Sequence, residues 1–177
     1  KVLPQIESDW IVLKPNNGLK GIGIYIGPKE KAVDFEFSKT KKEYIAQEFV
    51  DTSKGIEGLT KSNHDLRIVI VNAKIVWSHV RTPPKGSLEA NVARGGSINE
   101  IDLNMIPERV KEVVAKITKL FSEKYDNPIY SLDFGFQDGH PFLFEINDTI
   151  GFPRWEMKNR DNFLKELVEN FKQKLNN

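Results

Sequence analysis

Residues 129–147 read "IYSLDFGFQDGHPFLFEIN", and the way this stretch pairs with itself decides the fold. Runs of β-branched and aromatic residues flank Asp138 and Gly139, two turn formers, so the pattern predicts a β-hairpin with a three-residue loop centred on Gly139. In that register Phe136 faces Phe142, Phe134 faces Phe144 and Leu132 faces Ile146, which makes one face wholly apolar. The alternate face carries Ser131, Asp133, Gly135, Leu143, Glu145 and Asn147, with Asp133 opposite Glu145. Like charges placed opposite each other destabilise a sheet, so the pair needs a cation or a shared proton. Removing one charge is then expected to leave the empty protein as stable as before or slightly more so. Two carboxylates and an amide, with no imidazole or thiol among them, suit Mg²⁺ bound together with substrate phosphates. The plain alternatives are a lysine or arginine neutralising the acids, or a register slipped by one residue that turns them to the other face.

Upstream, residues 13–26 read "LKPNNGLKGIGIYI". Strands are expected at residues 10–13 and 22–26 around a glycine-rich loop, with a third strand at 44–50 and no helix among them. The glycines let backbone N–H groups approach an anion closely, and Lys14 adds a charge at a strand end. The alternative is a flexible hairpin turn. No glycine-lysine-serine/threonine follows and no helix opens, which sets aside both the Walker loop and the dinucleotide fingerprint.

Residues 52–64, "TSKGIEGLTKSNH", have no periodicity and read as a mobile connecting loop. Strands resume at 66–71 and 74–79 around a tight Asn72-Ala73 turn, followed by "RTPPKGSLEANVARGGS" at 81–97. Val110, Val113, Val114, Ile117, Leu120 and Phe121 recur at helical spacing over 107–121, with Pro107 at the first helical position. Phe163, Leu167, Phe171 and Leu175 form a second stripe. Both are expected to face a core.

The 177 residues can bury a sizeable core in one domain or two closely joined subdomains. A 39% hydrophobic share without a long uncharged apolar run reads as soluble, with no membrane span or secretory leader in view, and a cytoplasmic protein is expected. Lys plus Arg (26) nearly cancels Asp plus Glu (25), which argues against a non-specific nucleic-acid binder. Cysteine is absent, and His64, His79 and His140 lack ligand spacing, so disulfides, thiolate chemistry and a zinc site are set aside.

Read together, these pieces resemble the ATP-grasp superfamily, most closely its glutathione-synthetase and ribosomal-protein-S6 glutamate-ligase branch. "VLKPNNGLKGIG" resembles the family's lysine strand and phosphate-covering loop, and "AQEFV" its adenine-binding hinge. "DLRIVIVNAKIVWSHVR" is similar to its strand pair with an arginine near each end, and "RTPPKGSLEANVARGG" to its arginine, loop, asparagine and glycine pair. "LDFGF" with "LFEIN" matches its acidic magnesium motif. The motifs run in order from about Trp10 to Gly151.

The resemblance implies an α+β ATP-grasp fold with a small β-rich lid over residues 1–50 and a larger subdomain over 51–177. It implies that Lys14 binds phosphates while Gly18, Gly21 and Gly23 shape the lid loop. Gln47, Glu48, Phe49 and Val50 would form the adenine hinge, with Asp51 near the ribose. Arg67 and Arg81 would be catalytic, facing the triphosphate and the reacting acyl phosphate, with Asn91 and Arg94 closing on the same site. Asp133, Glu145 and Asn147 would hold Mg²⁺, with Mn²⁺ able to replace it.

The implied reaction joins a carboxylate to an amine at the expense of ATP. A non-catalytic ATP-binding module and a kinase acting on a hydroxyl stand as alternatives, and neither a nucleic-acid nor a membrane partner is expected. Two features depart from the family. Ile150 stands where proline is common, and the chain begins almost at the lysine strand, so an additional amino-terminal domain is expected to be missing.

Overall fold

The structure, a computed structural model, describes residues 5–17, 22–37, 43–88, 90 and 95–176. Strands β1 (Trp10–Pro15), β2 (Tyr25–Pro28) and β3 (Tyr44–Glu48) form an antiparallel sheet in the order β2-β1-β3. Alternation along β1 buries Ile11 and Leu13 on one side, against Ile6 and Ala32. β2 starts later than expected because residues 22 and 23 form a turn in which Gly23 takes φ +78°. Lys29–Asp34 forms a 3₁₀ helix where no helix was expected; it is six residues long, too short to display a period. β3 stops at Glu48, so Phe49 and Val50 lead out of the sheet, with the Phe49 N–H donating to the Trp10 carbonyl (3.1 Å).

A second antiparallel sheet contains β4 (Asp65–Val71), β5 (Lys74–Thr82), β6 (Ser97–Glu100), β7 (Ile129–Gln137) and β8 (His140–Asn147), in the order β6-β5-β4-β7-β8. The expected Asn72-Ala73 turn joins β4 to β5, with both residues left-handed at φ 51° and 63°. Leu66, Ile68, Ile70, Leu132, Phe134 and Phe136 alternate toward one face. There they meet Val110 and Val114 of helix α1 (Glu108–Lys124), which follows Pro107 at its N-cap. Val69, Val71 and Trp77 alternate toward the other face and meet Phe163 and Leu167 of helix α2 (Arg160–Leu175).

Both apolar stripes face the core over only part of their length. Leu120 is exposed, as are Phe171 and Leu175. Residues four apart on a helix drift by about 40° per step, so a straight i, i+4 stripe turns away from a flat sheet. On α2 the third core position falls to Asn170, whose amide donates to the Asn127 carbonyl (3.1 Å). Residues 52–64 are packed rather than free-hanging. Ile56 enters the α1-side core, and the His64 N–H reaches the Thr52 hydroxyl (3.2 Å).

The decisive hairpin differs from expectation in an informative way. Asp138 and Gly139 are both left-handed (φ 51° and 76°), the backbone of a two-residue type I′ turn, so Gln137 pairs with His140. A bulge then inserts Phe144, and beyond it Asp133 pairs with Glu145 and Ser131 with Asn147, as the simple register had them. Between turn and bulge the pairing is shifted by one: Phe134 faces Leu143 and Gly135 faces Phe142. The apolar face is also lost on β8, the edge strand, where Phe142 in the shifted part and Ile146 beyond the bulge are both exposed. The bulge re-aims Phe144 over Gly135, so closely that any Cβ there would overlap its ring.

Candidate active site

The α2 face of the larger sheet has an apolar half under the helix and a polar half beyond it. In the polar half the register puts Arg67 beside Asp133, Asp65 beside Arg81 and Asp133 beside Glu145. Arg67 grips the Asp133 carboxylate with Nε and Nη2, each 2.6 Å from an oxygen, in the fork geometry that makes such pairs strong. Arg81 donates to both oxygens of Asp65 (3.2 and 2.6 Å) and, through Nη2, to Asp133 Oδ2 (2.9 Å). The Asn147 amide donates to Asp133 Oδ2 (3.2 Å) and to Glu145 Oε1 (3.0 Å). Lys14, at the end of β1, donates to the Phe144 carbonyl (3.2 Å) and lies 3.5 Å from Glu145 Oε2.

Asp133 is completely buried. Burial pushes its carboxyl up, but the Arg67 hydrogen bonds and the two guanidinium charges outweigh that and hold it below its ordinary value. Burial and the neighbouring Asp133 charge push the Asp65 carboxyl up to about 7, against the pull of Arg81 and Arg67. His79, paired with Arg67 across the strands, is driven down to about 3 by burial and by both arginines, so it stays neutral beside them. The repulsion expected between Asp133 and Glu145 is thus already cancelled by arginine. Asp133→Asn cannot be neutral in the empty protein, because it would leave the largely covered Arg67 guanidinium without its carboxylate and take from Arg81 one of the two that hold it.

A cavity of about 350 Å³ adjoins this cluster, lined by Gln47, Glu48, Phe49 and Val50 on one side and Gln137, Phe142, Leu143 and Phe144 on the other. The Asp51 N–H donates to Gln137 Oε1 (2.7 Å), which ties the segment after β3 to the end of β7. The Asp51 carboxylate accepts from the Ser53 N–H (2.9 Å), and hydrogen bonding from the Ser53 side chain first, then from that N–H, holds it below its ordinary value.

Of the residues singled out from sequence, Lys14, Arg67, Arg81, Asp133, Glu145 and Asn147 come together in one cluster, and Gln47, Glu48, Phe49 and Val50 line the adjoining cavity. Gly23 sits in the turn before β2, near the Tyr44 ring. Gly18, Gly21, Asn91 and Arg94 lie outside the described residues. Asp65, Gln137 and the Phe142–Phe144 wall were missed. The plain register hid Asp65: a hairpin around Asn72-Ala73 puts Val80 opposite it, and a bulge between Val69 and Ile70 moves the pairing by one residue and brings Arg81 there instead.

The chain belongs to the RimK-like ATP-grasp domain family, whose match covers residues 1–171. It is 25% identical over 153 residues to a probable alpha-L-glutamate ligase of Methanococcoides burtonii, covering 85% of this chain and 46% of that protein. A probable alpha-L-glutamate ligase of Shewanella pealeana is 24% identical over 168 residues, covering 93% of this chain and 33% of that protein. The chain therefore spans less than half the length of these relatives. Among solved structures it resembles D-cycloserine synthetase DcsG (TM-score 0.66, 12% identity, 98% of this chain and 58% of that one). It also resembles D-alanine–D-alanine ligase from Bacillus anthracis complexed with ATP (TM-score 0.58, 16% identity, 95% of this chain and 53% of that one). The expected α+β ATP-grasp fold is borne out. Among the described residues no helix is long and apolar enough to cross a membrane.

Proposed function

We propose that this chain is the nucleotide-binding portion of an ATP- and Mg²⁺-dependent ligase that joins a carboxylate to an amine. The observation that carries the reading is the convergence of Lys14, Arg67 and Arg81 with Asp133, Glu145 and Asn147 beside the hinge cavity. In this reading the β1–β3 sheet is the lid. Adenine enters the cavity between the Gln47 to Val50 segment and the Phe142 and Phe144 rings, with the ribose toward Asp51. Lys14 and the lid loop at Gly18, Gly21 and Gly23 take the phosphates, and Asn91 and Arg94 close over them.

The donors fit a hard divalent cation. Among the described residues no three acidic or histidine side chains form a metal-holding group, so the protein supplies two carboxylates and an amide. Phosphate oxygens and water would supply the remaining ligands, as suits Mg²⁺. The Asn147 amide nitrogen already sits between the two carboxylates, where a cation belongs, and turning the amide over offers Oδ1 instead. When bound, the metal neutralises phosphate charge and fixes the reacting oxygens.

Arg67 and Arg81 offset the charge that builds as a substrate carboxylate attacks the γ-phosphorus and ADP leaves. An amine then attacks the acyl carbon, phosphate departs with the C–O electron pair, and the proton that the amine nitrogen gives up passes to that phosphate. No protein nucleophile is needed; positioning and fixed charge carry the reaction. Product analysis on the longest natural form of the protein tests this. ADP, phosphate and a new amide support the ligase, whereas a phosphorylated hydroxyl product points to a kinase and the absence of ADP to a binding module.

A further inference from the structure

We infer that Asp65 is a positioning residue: it retains Arg81 in the site when a divalent cation claims the Asp133 carboxylate. The inference rests on the nucleotide-and-metal reading of this cluster. Asp133 Oδ2 accepts from three donors at once, Arg67 Nη2 (2.6 Å), Arg81 Nη2 (2.9 Å) and Asn147 Nδ2 (3.2 Å). A cation entering at Oδ2 takes the place of the Asn147 amide as that amide turns over, but the two guanidinium hydrogens that remain fill both lone pairs of the oxygen, so one arginine must yield as well. Arg67 has no second carboxylate among the described residues, so releasing it would strand a buried charge. Arg81 does have one: Asp65 holds it through both Nε and Nη2, and the two face each other across β4 and β5. Arg81 is therefore the donor that can yield Oδ2 and still stay paired and aimed at the phosphates.

The two roles open to Asp65 carry opposite signs. As one more negative charge near a triphosphate, its removal would tighten ATP binding. As the anchor of Arg81, its removal leaves Asp133 as the only carboxylate among the described residues for that guanidinium, which then competes with the metal. The test is calorimetry of ATP binding to the chain across a MgCl₂ series, for the parent, Asp65→Asn, Arg81→Gln and the double variant. Asp65→Asn is expected to raise the Mg²⁺ concentration for half-maximal ATP binding about tenfold, on the scale of one charge-assisted hydrogen bond. In the Arg81→Gln background the same substitution is expected to shift nothing.

An unchanged Mg²⁺ demand in Asp65→Asn, or a shift that persists without Arg81, overturns the inference while leaving the nucleotide reading standing. A parental chain that binds no ATP at any Mg²⁺ concentration overturns both. If Asp65→Asn does not fold, the Arg81 Nε–H resonance of the parent decides. It is expected to stay protected from exchange when Mg·ATP is added, and loss of that protection overturns the inference.

Discussion

Asp133→Asn and Glu145→Gln each remove one member of the same opposed pair, yet they should behave very differently in the empty protein. Asp133 is completely buried, both its oxygens are bonded to arginine, and the Arg67 side chain is only 12% exposed. An asparagine keeps one acceptor but points an amide donor at a guanidinium donor. Breaking a buried pair from one side costs about 3–5 kcal/mol, and the surviving acceptor puts this case near the lower end, at about 3 kcal/mol. For a chain of this size that is a fall in Tm of roughly 6–12 °C. Glu145 is 44% exposed and meets Lys14 only at 3.5 Å, so Glu145→Gln should change stability by no more than about 0.5 kcal/mol. Urea unfolding followed by far-UV circular dichroism measures both. With Mg·ATP at about a hundred times its Kd the parent should gain roughly 2.7 kcal/mol, and both variants should lose most of that gain. Equal apo stabilities for the two variants, or an Asp133→Asn that melts with the parent, would refute the buried-carboxylate account.

Lys14→Met should weaken Mg·ATP binding by roughly 1–3 kcal/mol in calorimetry while leaving the far-UV spectrum intact, because its ammonium points at the cluster and not into the core. Gly135→Ala should push the Phe144 ring into the hinge cavity, costing roughly 1–3 kcal/mol of stability and abolishing binding of adenosine, a ligand without phosphates. Phe134→Ser, on the opposite face, should cost roughly 2–4 kcal/mol by emptying a fully buried position, with residual Mg·ATP affinity preserved in the folded fraction. His64 accepts the Phe136 N–H at Nε2 (3.1 Å), and burial lowers its pKa from the ordinary 6.5. A lowered imidazole pKa contributes stability above 6.5 that is lost as pH falls below it. The parent should therefore lose up to about 1.4 kcal/mol per pH unit more than His64→Gln in that range. Taking the difference from the variant cancels Asp65, whose raised pKa gives a slope of the opposite sign.

The hairpin and its acids were legible because period-two alternation and turn chemistry specify pairing locally, and Asp133 does face Glu145. The bulge was not legible. Phe142, Leu143 and Phe144 are three consecutive apolar residues, and alternation does not say which one is extra until Gly135 supplies the gap that Phe144 fills. Strands expected at 66–71 and 74–79 stopped just short of the Asp65 and Arg81 pair, so the counter-ion of Arg81 stayed hidden. Ion pairing here is a property of cross-strand register rather than of either segment alone. Gln137 was missed for a related reason: its partner, the Asp51 N–H, is 86 residues away and belongs to the other end of the hinge. Asn170 shows the limit of an apolar stripe as a guide, since the buried third position on α2 is polar: its amide N–H reaches a loop carbonyl, while its Oδ1 has no partner among the described residues.

A crystal structure of the chain grown with Mn²⁺ and a non-hydrolysable ATP analogue tests the central claim most directly, because anomalous scattering locates the metal independently of the nucleotide. The expected result is a manganese peak within ligand distance of Glu145 and Asn147 and on the Oδ2 side of Asp133. Adenine should lie between Val50 and Phe144, with the phosphates running toward Lys14 and Arg67. A manganese peak away from those three side chains, or a nucleotide bound outside the hinge cavity, would contradict the account.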